Sequence, residues 1–427
     1  AGFYILTRSR LYETLIVGNT DVTANVTGGY GGIGNQYASG AAGASISTGD
    51  LKFKVTSVDG GAILGTHEVV NITTKNVDAT LTANYGGGNS SGGVAQYGLL
   101  TGSTVSSGET LDTGEYSTIT TMNLKLNQTT TGGSTTPILN NGIRAIQGAT
   151  SNATLPNGGR GTAGQVIVNG ILDMTLTGNR SVGIYVSGNA TNHGVATDRA
   201  PVFNALTPKV ILNNDAKIII NKGTGFSFTT WDSHGIKLGK VRYAGEGPGI
   251  LESHGNLVID TTNALQGGGI KMMRNSILDA SDSNASTTIK TNGYALEIGG
   301  HDDAARNGFV LTYEQAASNG ATASFNNAIF TTNGTSADPL ITATGARKDL
   351  MFVDQGQVAV KLNFTGANTN LTANANGYIL NVSGNYTAPN YAYYSNTYDT
   401  LGNPVQGQNL FEGSSVTFNA TDAGSMT

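Results

Sequence analysis

The chain contains no cysteine, so neither disulfides nor thiolate metal sites can stabilise it. A cytosolic chain can lack cysteine by chance. A chain exported through an oxidising compartment gains from the absence, because stray disulfides would obstruct export. No apolar run approaches the roughly 18 residues of a membrane-spanning helix. Helices in general are disfavoured, since few segments combine Ala, Leu, Glu, Lys and Arg.

Charge is also scarce, at 12% of residues with a formal net charge of −5, which argues against a nucleic-acid partner. One region differs from the rest. Between Arg180 and Arg274 the sequence has ten of its 23 basic residues and six acidic ones. An acidic partner is electrostatically favoured in this region.

What the chain has in abundance is glycine, 61 residues, together with short apolar segments divided by Asn and Gly. The pattern is clearest from 164 to 188, where Val166–Val168, Leu172–Leu176 and Ile184–Val186 alternate with Asn-Gly and Gly-Asn steps. Segments this short and β-branched predict strands, and the polar steps predict sharp turns. Three strands with corner turns form one coil of a solenoid, which buries its inner face only by stacking.

A Gly–apolar strand motif recurs at Gly142, Gly183, Gly235, Gly269 and Gly293. The sequence therefore predicts an all-β fold, a right-handed parallel β-helix (solenoid) with loop insertions. Residues 1–60 would form an N-terminal cap and first coils, and residues 61–427 the rod. At ~20–25 residues per coil we expect roughly 17–21 coils and a rod of about 80–100 Å. A series of antiparallel β-sandwiches is the alternative.

Several polar stretches are predicted to lie outside the strands. Gly28–Gly43 is interpreted as a flexible glycine-rich loop, and Gly86–Thr118 as an insertion projecting from a corner. Asn363–Asn376 and Asn381–Asn385 are typical of turns in which asparagines of successive coils bond to one another.

Three segments, 171–188, 255–272 and 375–387, resemble the passenger domains of bacterial autotransporters. The similarity is greatest to adhesins of the diffuse-adherence type in Gram-negative bacteria, including Escherichia coli. It implies export across the outer membrane to the cell surface, through a C-terminal barrel whose strand pattern this sequence does not show. Membrane contact would then occur only through that absent barrel. Passengers of this family adhere to host matrix components, self-associate in biofilms or, in some members, act as proteases.

Enzymatic chemistry finds little support in the sequence. The Gly-Asp-Ser-Gly of serine protease passengers is missing. A polysaccharide lyase or hydrolase would need clustered carboxylates, for which the candidates are Asp279 with Asp282 and the run His301-Asp302-Asp303 with Arg306. Solvated turns are the favoured explanation of these acids. We expect no enzyme and no cofactor.

The five histidines, His67, His193, His234, His254 and His301, lack metal-ligand spacing, so no metal site is predicted. His234 and His254 both occur as Ser-His-Gly, separated by about one coil. This repeat favours a structural stack of the two side chains on neighbouring coils.

Two groups of residues are predicted to bind ligand. On a β-helix, residues one coil apart align at ~4.8 Å, so basic side chains can form a cationic ladder that grips the sulfates of a glycosaminoglycan. Scattered solubilising charges are the alternative. Clustered tyrosines near the C-terminus can stack on sugars, anchor a protein or cover a coil end. The candidate ligand residues are Lys237, Lys240, Arg242, Lys271, Arg274, Tyr391, Tyr393 and Tyr394.

Two functions follow from a rod with a repeated lateral face. The first is a cell-surface adhesin that binds host matrix glycans or fibronectin-like glycoproteins through many weak contacts. The second is self-association of rods along complementary faces, which would promote aggregation and biofilm. Low charge and Asn/Thr-rich surfaces permit such contacts.

Overall fold

The computed structural model describes residues 5–6, 14–34, 44–66, 70–85, 95–102, 116–132, 139–147, 162–188, 207–224, 233–242, 245–273, 276–298, 321–335, 349–354, 360–375, 377–383, 394–398, 404–406, 416–422 and 424–427. Within these ranges the chain consists of strands and turns. No candidate membrane-spanning helix occurs among them.

Strands stack into three long sheets, each built from eleven strands in chain order. The first sheet contains β1 (Ile5–Leu6), β4 (Tyr30–Gly34), β7 (Gly60–Gly65), β9 (Ala95–Thr101), β11 (Leu139–Ile146), β14 (Ser181–Ser187), β17 (Ser233–Leu238), β22 (Gly267–Met272), β25 (Leu296–Ile298), β28 (Met351–Asp354) and β31 (Leu380–Ser383).

The second sheet contains β2 (Thr14–Val17), β5 (Ala44–Thr48), β8 (Val70–Tyr85), β10 (Tyr116–Gly132), β12 (Ala163–Val168), β15 (Lys209–Leu212), β20 (Ile250–Ser253), β23 (Ile277–Ala280), β26 (Thr322–Asn326), β29 (Val360–Thr365) and β34 (Val416–Thr421). The third sheet contains β3 (Thr20–Asn25), β6 (Leu51–Ser57), the second halves of β8 and β10, β13 (Leu172–Thr177), β16 (Ala216–Asn221), β21 (Leu257–Thr261), β24 (Thr287–Thr291), β27 (Ala328–Thr332), β30 (Asn370–Thr372) and β35 (Ser425–Met426).

Every pairing within the three sheets is parallel, which confirms the predicted all-β parallel β-helix. One coil passes through the second, third and first sheets in turn, as in β12, β13 and β14. In the described part of the chain, antiparallel pairing is confined to two hairpins, β18 (Lys240–Arg242) with β19 (Gly245–Gly247) and β32 (Tyr394–Tyr398) with β33 (Pro404–Gln406). The β-sandwich alternative is therefore wrong.

The predicted number of coils was too high. The sheets have eleven strands each, which at ~4.8 Å per coil gives a stack about 50 Å long. The error arises from long insertions between strands, so that the average coil uses far more residues than its three strands require.

Two predicted loops each contain a strand of the first sheet. Tyr30–Gly34 lies inside the stretch interpreted as flexible, and Ala95–Thr101 lies inside the predicted insertion. Glycine is needed here for close backbone approach: a Cβ on Gly32 would collide with the carbonyl oxygen of Ile63. The glycine content therefore marks tight stacking at this position.

The recurring glycine motif has a packing origin. Gly142, Gly183, Gly235 and Gly269 precede isoleucines that align in four successive strands. A Cβ on any of them would strike an inward side chain of the third sheet, such as Met174 against Gly142. The fifth motif, at Gly293, is displaced, because Ala295 occupies the equivalent position next to Leu296.

The core is a continuous column of inward side chains from all three sheets, including Ile184, Leu172 and Val166 of one coil, each fully buried. Near its C-terminal end, Phe325, Phe330 and Phe364 pack with ring centroids 5.1–5.8 Å apart. Aromatic pairs at this separation add to the stabilisation from area burial.

Polar side chains bond from coil to coil at the exposed corner between the second and third sheets. Asn76 donates from Nδ2 to Asp50 Oδ1 at 2.7 Å, and its Oδ1 accepts from Asn123 Nδ2 at 2.8 Å. Asparagines of successive coils also bond within the C-terminal stretch, but in strands rather than in the predicted turns: Asn363 Oδ1 in β29 accepts from Asn419 Nδ2 in β34 at 2.9 Å.

Candidate functional site

Charged side chains of alternating sign form a row on the outer face of the third sheet. The row, here named the charge ladder, occupies the same position in the first six strands of this sheet: Asp21, Lys52, Asp78, Lys125, Asp173 and Lys217. Each residue points away from the core, because its neighbours on either side along the strand point inward.

All members of the charge ladder are exposed to solvent. Successive members are one strand apart, ~4.8 Å at the backbone, so every inner charge has an opposite charge on both sides. At its first end the surface dips into a shallow depression bounded by Asp21, Lys52, Asp78 and Asn76. The ladder as a whole is neutral but strongly patterned.

The outer face of the first sheet has a different character, since both faces of β14, β17, β22 and β25 are buried. One outward position in successive strands holds Arg144, Tyr185, Lys237, Lys271 and Glu297, here named the buried ionic row. Buried charges are costly unless they are paired, so each charged side chain in the row depends on the contacts that it makes with its neighbours.

Cations and aromatic rings alternate at the start of the buried ionic row. The Arg144 guanidinium lies 5.5 Å from the ring centroid of Tyr97 and 5.2 Å from that of Tyr185, and its Nη1 donates to the Tyr97 hydroxyl at 2.9 Å. Lys237 Nζ lies 5.4 Å from the Tyr185 centroid. These distances are within the range of cation–π attraction.

An ion pair closes the row at its other end. Lys271 Nζ lies 3.1 Å from Glu297 Oε1, and His234 Nε2 lies 3.8 Å from Glu297 Oε2. The His234 ring extends over Gly268, where a Cβ would lie 2.7 Å from its Cδ2. Glycine at this position therefore makes room for the imidazole.

The predicted cationic ladder is partly assembled by the fold. Lys237 and Lys271 do occupy facing positions in neighbouring strands, but both are more than nine-tenths buried. Lys240 and Arg242 lie in β18, whose described backbone pairs with β19. Arg274 lies outside the described residues. The ligand-binding role of these residues stays a prediction.

The predicted tyrosine cluster is mostly outside the described residues, which include neither Tyr391 nor Tyr393. Tyr394 begins β32 and pairs with Gln406 across the hairpin. The predicted aromatic site therefore stays a prediction.

Of the candidate catalytic acids that the structure describes, Asp279 lies near the end of β23 and Asp282 lies in the loop that follows. Asp279 Oδ1 accepts from Ser281 N at 3.1 Å and Oγ at 2.6 Å, and Asp282 Oδ1 accepts from Asn284 N at 3.0 Å. These bonds are typical of Asx turns. His301, Asp302, Asp303 and Arg306 lie outside the described ranges. Among the residues inside them, no cluster of His, Asp or Glu could hold a metal ion.

The predicted stack of His234 on His254 is wrong. His234 belongs to β17 of the first sheet, whereas His254 follows β20 at the exposed corner beyond the second sheet. The two Ser-His-Gly sequences therefore occupy different parts of the coil, one in a strand and the other at a corner.

A smaller polar group lies on the outer face of the second sheet. Tyr116 donates from its hydroxyl to Thr207 O at 2.9 Å, and Lys209 Nζ lies 5.4 Å from the ring centroid. Burial, and then the Glu252 carboxylate, raise the pKa of Tyr116. The phenol is thus a neutral donor that anchors the start of the strand.

Comparison with family models, curated proteins and solved structures finds no match to this chain. The site must therefore be interpreted from its own geometry.

Sequence reasoning missed the charge ladder entirely. Its members are separated by coils of different length, so no constant spacing links them. The available signal was local: every charge except Asp21 stands between two apolar residues in a strand, as Lys125 does between Leu124 and Leu126. That pattern indicates an outward position but not its neighbour in the next coil.

Proposed function

We propose that this chain is the extracellular rod of an adhesin of the autotransporter type, exported to the bacterial cell surface, and that it acts through lateral contacts between copies of itself. The observation that carries the proposal is the alternation of charge along the exposed ladder. The row lies on the side of the sheet opposite the core, so its side chains face solvent and are accessible to a second molecule.

The charge ladder is complementary to itself over all six positions when a second copy runs in the opposite direction. If a second copy is turned by a two-fold axis perpendicular to the rod, between Asp78 and Lys125, the order of charges reverses. Asp21 then faces Lys217 of the second copy, and all six positions meet opposite charges. In a parallel, in-register pair every position would meet its own sign, which is unfavourable.

The size of this contact predicts a weak association. Six strands at ~4.8 Å, each about 17–20 Å long, give roughly 500 Å² per copy and about 1,000 Å² in total. This is at the low end of specific interfaces, and exposed charge pairs contribute little each. Many rods on one cell surface would multiply such contacts into firm adhesion between cells.

Sedimentation velocity over a range of ionic strength tests the proposal. We expect dimers at about 0.01 M salt and monomers near 1 M, because the screening length falls from about 30 Å to about 3 Å. A chain that stays monomeric at every protein concentration in low salt, and that does not clump cells displaying it, would refute self-association.

A second candidate is adhesion to matrix glycosaminoglycans or fibronectin-like glycoproteins. It is favoured by the alignment of Lys237 and Lys271 in one column with Arg144, because aligned cations can form charge-assisted hydrogen bonds with the sulfates of one chain. Because the column is buried, such binding needs a rearrangement of the outer face of the first sheet.

Heparin chromatography distinguishes this candidate from self-association. The matrix-binding candidate predicts retention that is lost in high salt and reduced by replacing both Lys237 and Lys271 with Gln. The matched control replaces Lys52 and Lys125 of the charge ladder with Gln. If only the control variant shows reduced retention, the buried column does not bind heparin.

A further inference from the structure

Lys271 and Glu297 bring an amine and a carboxylate together away from water. Their strands, β22 and β25, are neighbours in the first sheet, and the two residues face each other in register. Nζ and Oε1 are 3.1 Å apart, and only 5% and 6% of the two side chains is exposed. Two parallel backbones therefore hold both groups in place, so little motion is needed for them to react.

A third group completes the arrangement. His234 Nε2 lies 3.8 Å from Oε2, the carboxylate oxygen that Lys271 does not contact. An imidazole has one ring nitrogen that accepts a proton and one that donates a proton, so at this position it can pass a proton on. Gly268 provides the space for the ring, as its lack of a side chain lets the imidazole reach across the strand.

Burial changes the chemistry of such a pair. Reaction requires that one proton first pass from the ammonium to the carboxylate across this contact, which leaves a neutral amine beside a carboxylic acid. A desolvated lysine amine is a competent nucleophile toward a carbonyl carbon.

We propose that Lys271 and Glu297 condense into an amide that covalently joins two adjacent coils. The Nζ lone pair attacks Cδ of Glu297, the Nζ–Cδ bond forms, and His234 relays a proton from nitrogen to the departing oxygen. The Cδ–O bond breaks and one water molecule leaves. The step neither oxidises nor reduces any atom, and it consumes no further reactant.

The amide would supply a covalent cross-link to a chain that has no cysteine and therefore no disulfide. In a solenoid each coil contacts only its neighbours, so the stack can separate at any coil boundary. An amide between residues 271 and 297 closes a loop of the chain and prevents separation at that boundary, as a disulfide does elsewhere.

Intact mass of the denatured wild-type protein tests the proposal directly, and no variant needs to fold for the result. We expect a mass lower than the sequence predicts by one water molecule, and a branched proteolytic peptide containing both residues. Lys271→Arg keeps the positive charge but should restore the full mass. Lys237→Arg, the matched control one strand away, should keep the deficit.

The relay is tested separately. His234→Gln should slow the condensation, so that freshly purified protein is a mixture of linked and unlinked chains whose linked fraction grows with time. Wild-type protein at full mass, with no branched peptide after prolonged incubation in the folded state, would overturn the proposal and leave Lys271 and Glu297 as a buried ion pair.

Discussion

Reversal of one charge at the centre of the charge ladder should weaken self-association strongly. In the two-fold arrangement, Lys125 of each copy faces Asp78 of the other, so the variant Lys125→Asp replaces two attractive pairs with two repulsive ones. At about 0.2–1 kcal/mol for each attraction lost and each repulsion gained, dimerisation weakens by about 1–4 kcal/mol, or roughly 5- to 1,000-fold.

A second change should reverse this loss. Adding Asp78→Lys to Lys125→Asp restores an opposite charge at every position across the two-fold axis, although each rod then has like charges on neighbouring strands. The double variant should therefore recover dimerisation in low salt while its free energy of unfolding falls slightly. Sedimentation equilibrium measures the first quantity and urea denaturation the second.

The rescue separates this arrangement from any other. A parallel contact offset by one strand would not be restored by the exchange, because residues 78 and 125 would then also face Lys52 and Asp173, whose charges are unchanged. Unchanged dimerisation in Lys125→Asp, or failure of the double variant to recover, would refute the reasoning. Lys361→Asp, an exposed lysine of the second sheet, serves as the control for a change in net charge alone.

Three further substitutions test the fold. Burial raises the pKa of Tyr30 above its ordinary value, so at alkaline pH the phenol ionises in the unfolded state but not in the folded state. The folded state therefore loses no stability from this group below pH 10 and loses stability as the pH rises further. At pH 11, ionisation stabilises the unfolded state by about 1.4 kcal/mol. Tyr30→Phe should abolish that part of the alkaline loss in urea melts, whereas Tyr378→Phe, at an exposed position, should not. Phe364→Ala should lower the free energy of unfolding by about 3–5 kcal/mol, since a fully buried ring between two others is removed; a loss below 1 kcal/mol would contradict the packing. Asn76→Ala removes both corner hydrogen bonds and should cost about 1–2 kcal/mol, and a neutral result would show that water replaces them.

The sequence was most informative where local chemistry alone determines the structure. Segments such as Leu172–Leu176 alternate apolar and polar residues and are flanked by turn residues, so their strands and inward faces could be predicted. Gly183 could also be assigned to a strand from the sequence. The need for glycine at this position could not be predicted, because it comes from the approach of Ile218, which belongs to a distant segment.

Register between coils could not be predicted, and the candidate site depends on it. Asp78 pairs with Lys52 and Lys125, which are separated from it by unequal stretches of chain. The burial of an outward face could not be predicted from the sequence either. Lys237 alternates with inward residues as an exposed lysine would, and only tertiary structure removes it from solvent.

Exposure gives the two rows of charge opposite physical behaviour. The charge ladder faces water, so salt within the physiological range screens it and contacts made through it are reversible. Lys271 and Glu297, at the end of the buried ionic row, are largely shielded from dissolved ions. Their contact should therefore persist at salt concentrations that dissociate the two rods. With both kinds of row, rods can separate from one another while the coils within each rod stay stacked. High salt should therefore dissociate dimers well before it lowers the free energy of unfolding, and simultaneous loss of the two would show that association and folding are not separate in this protein.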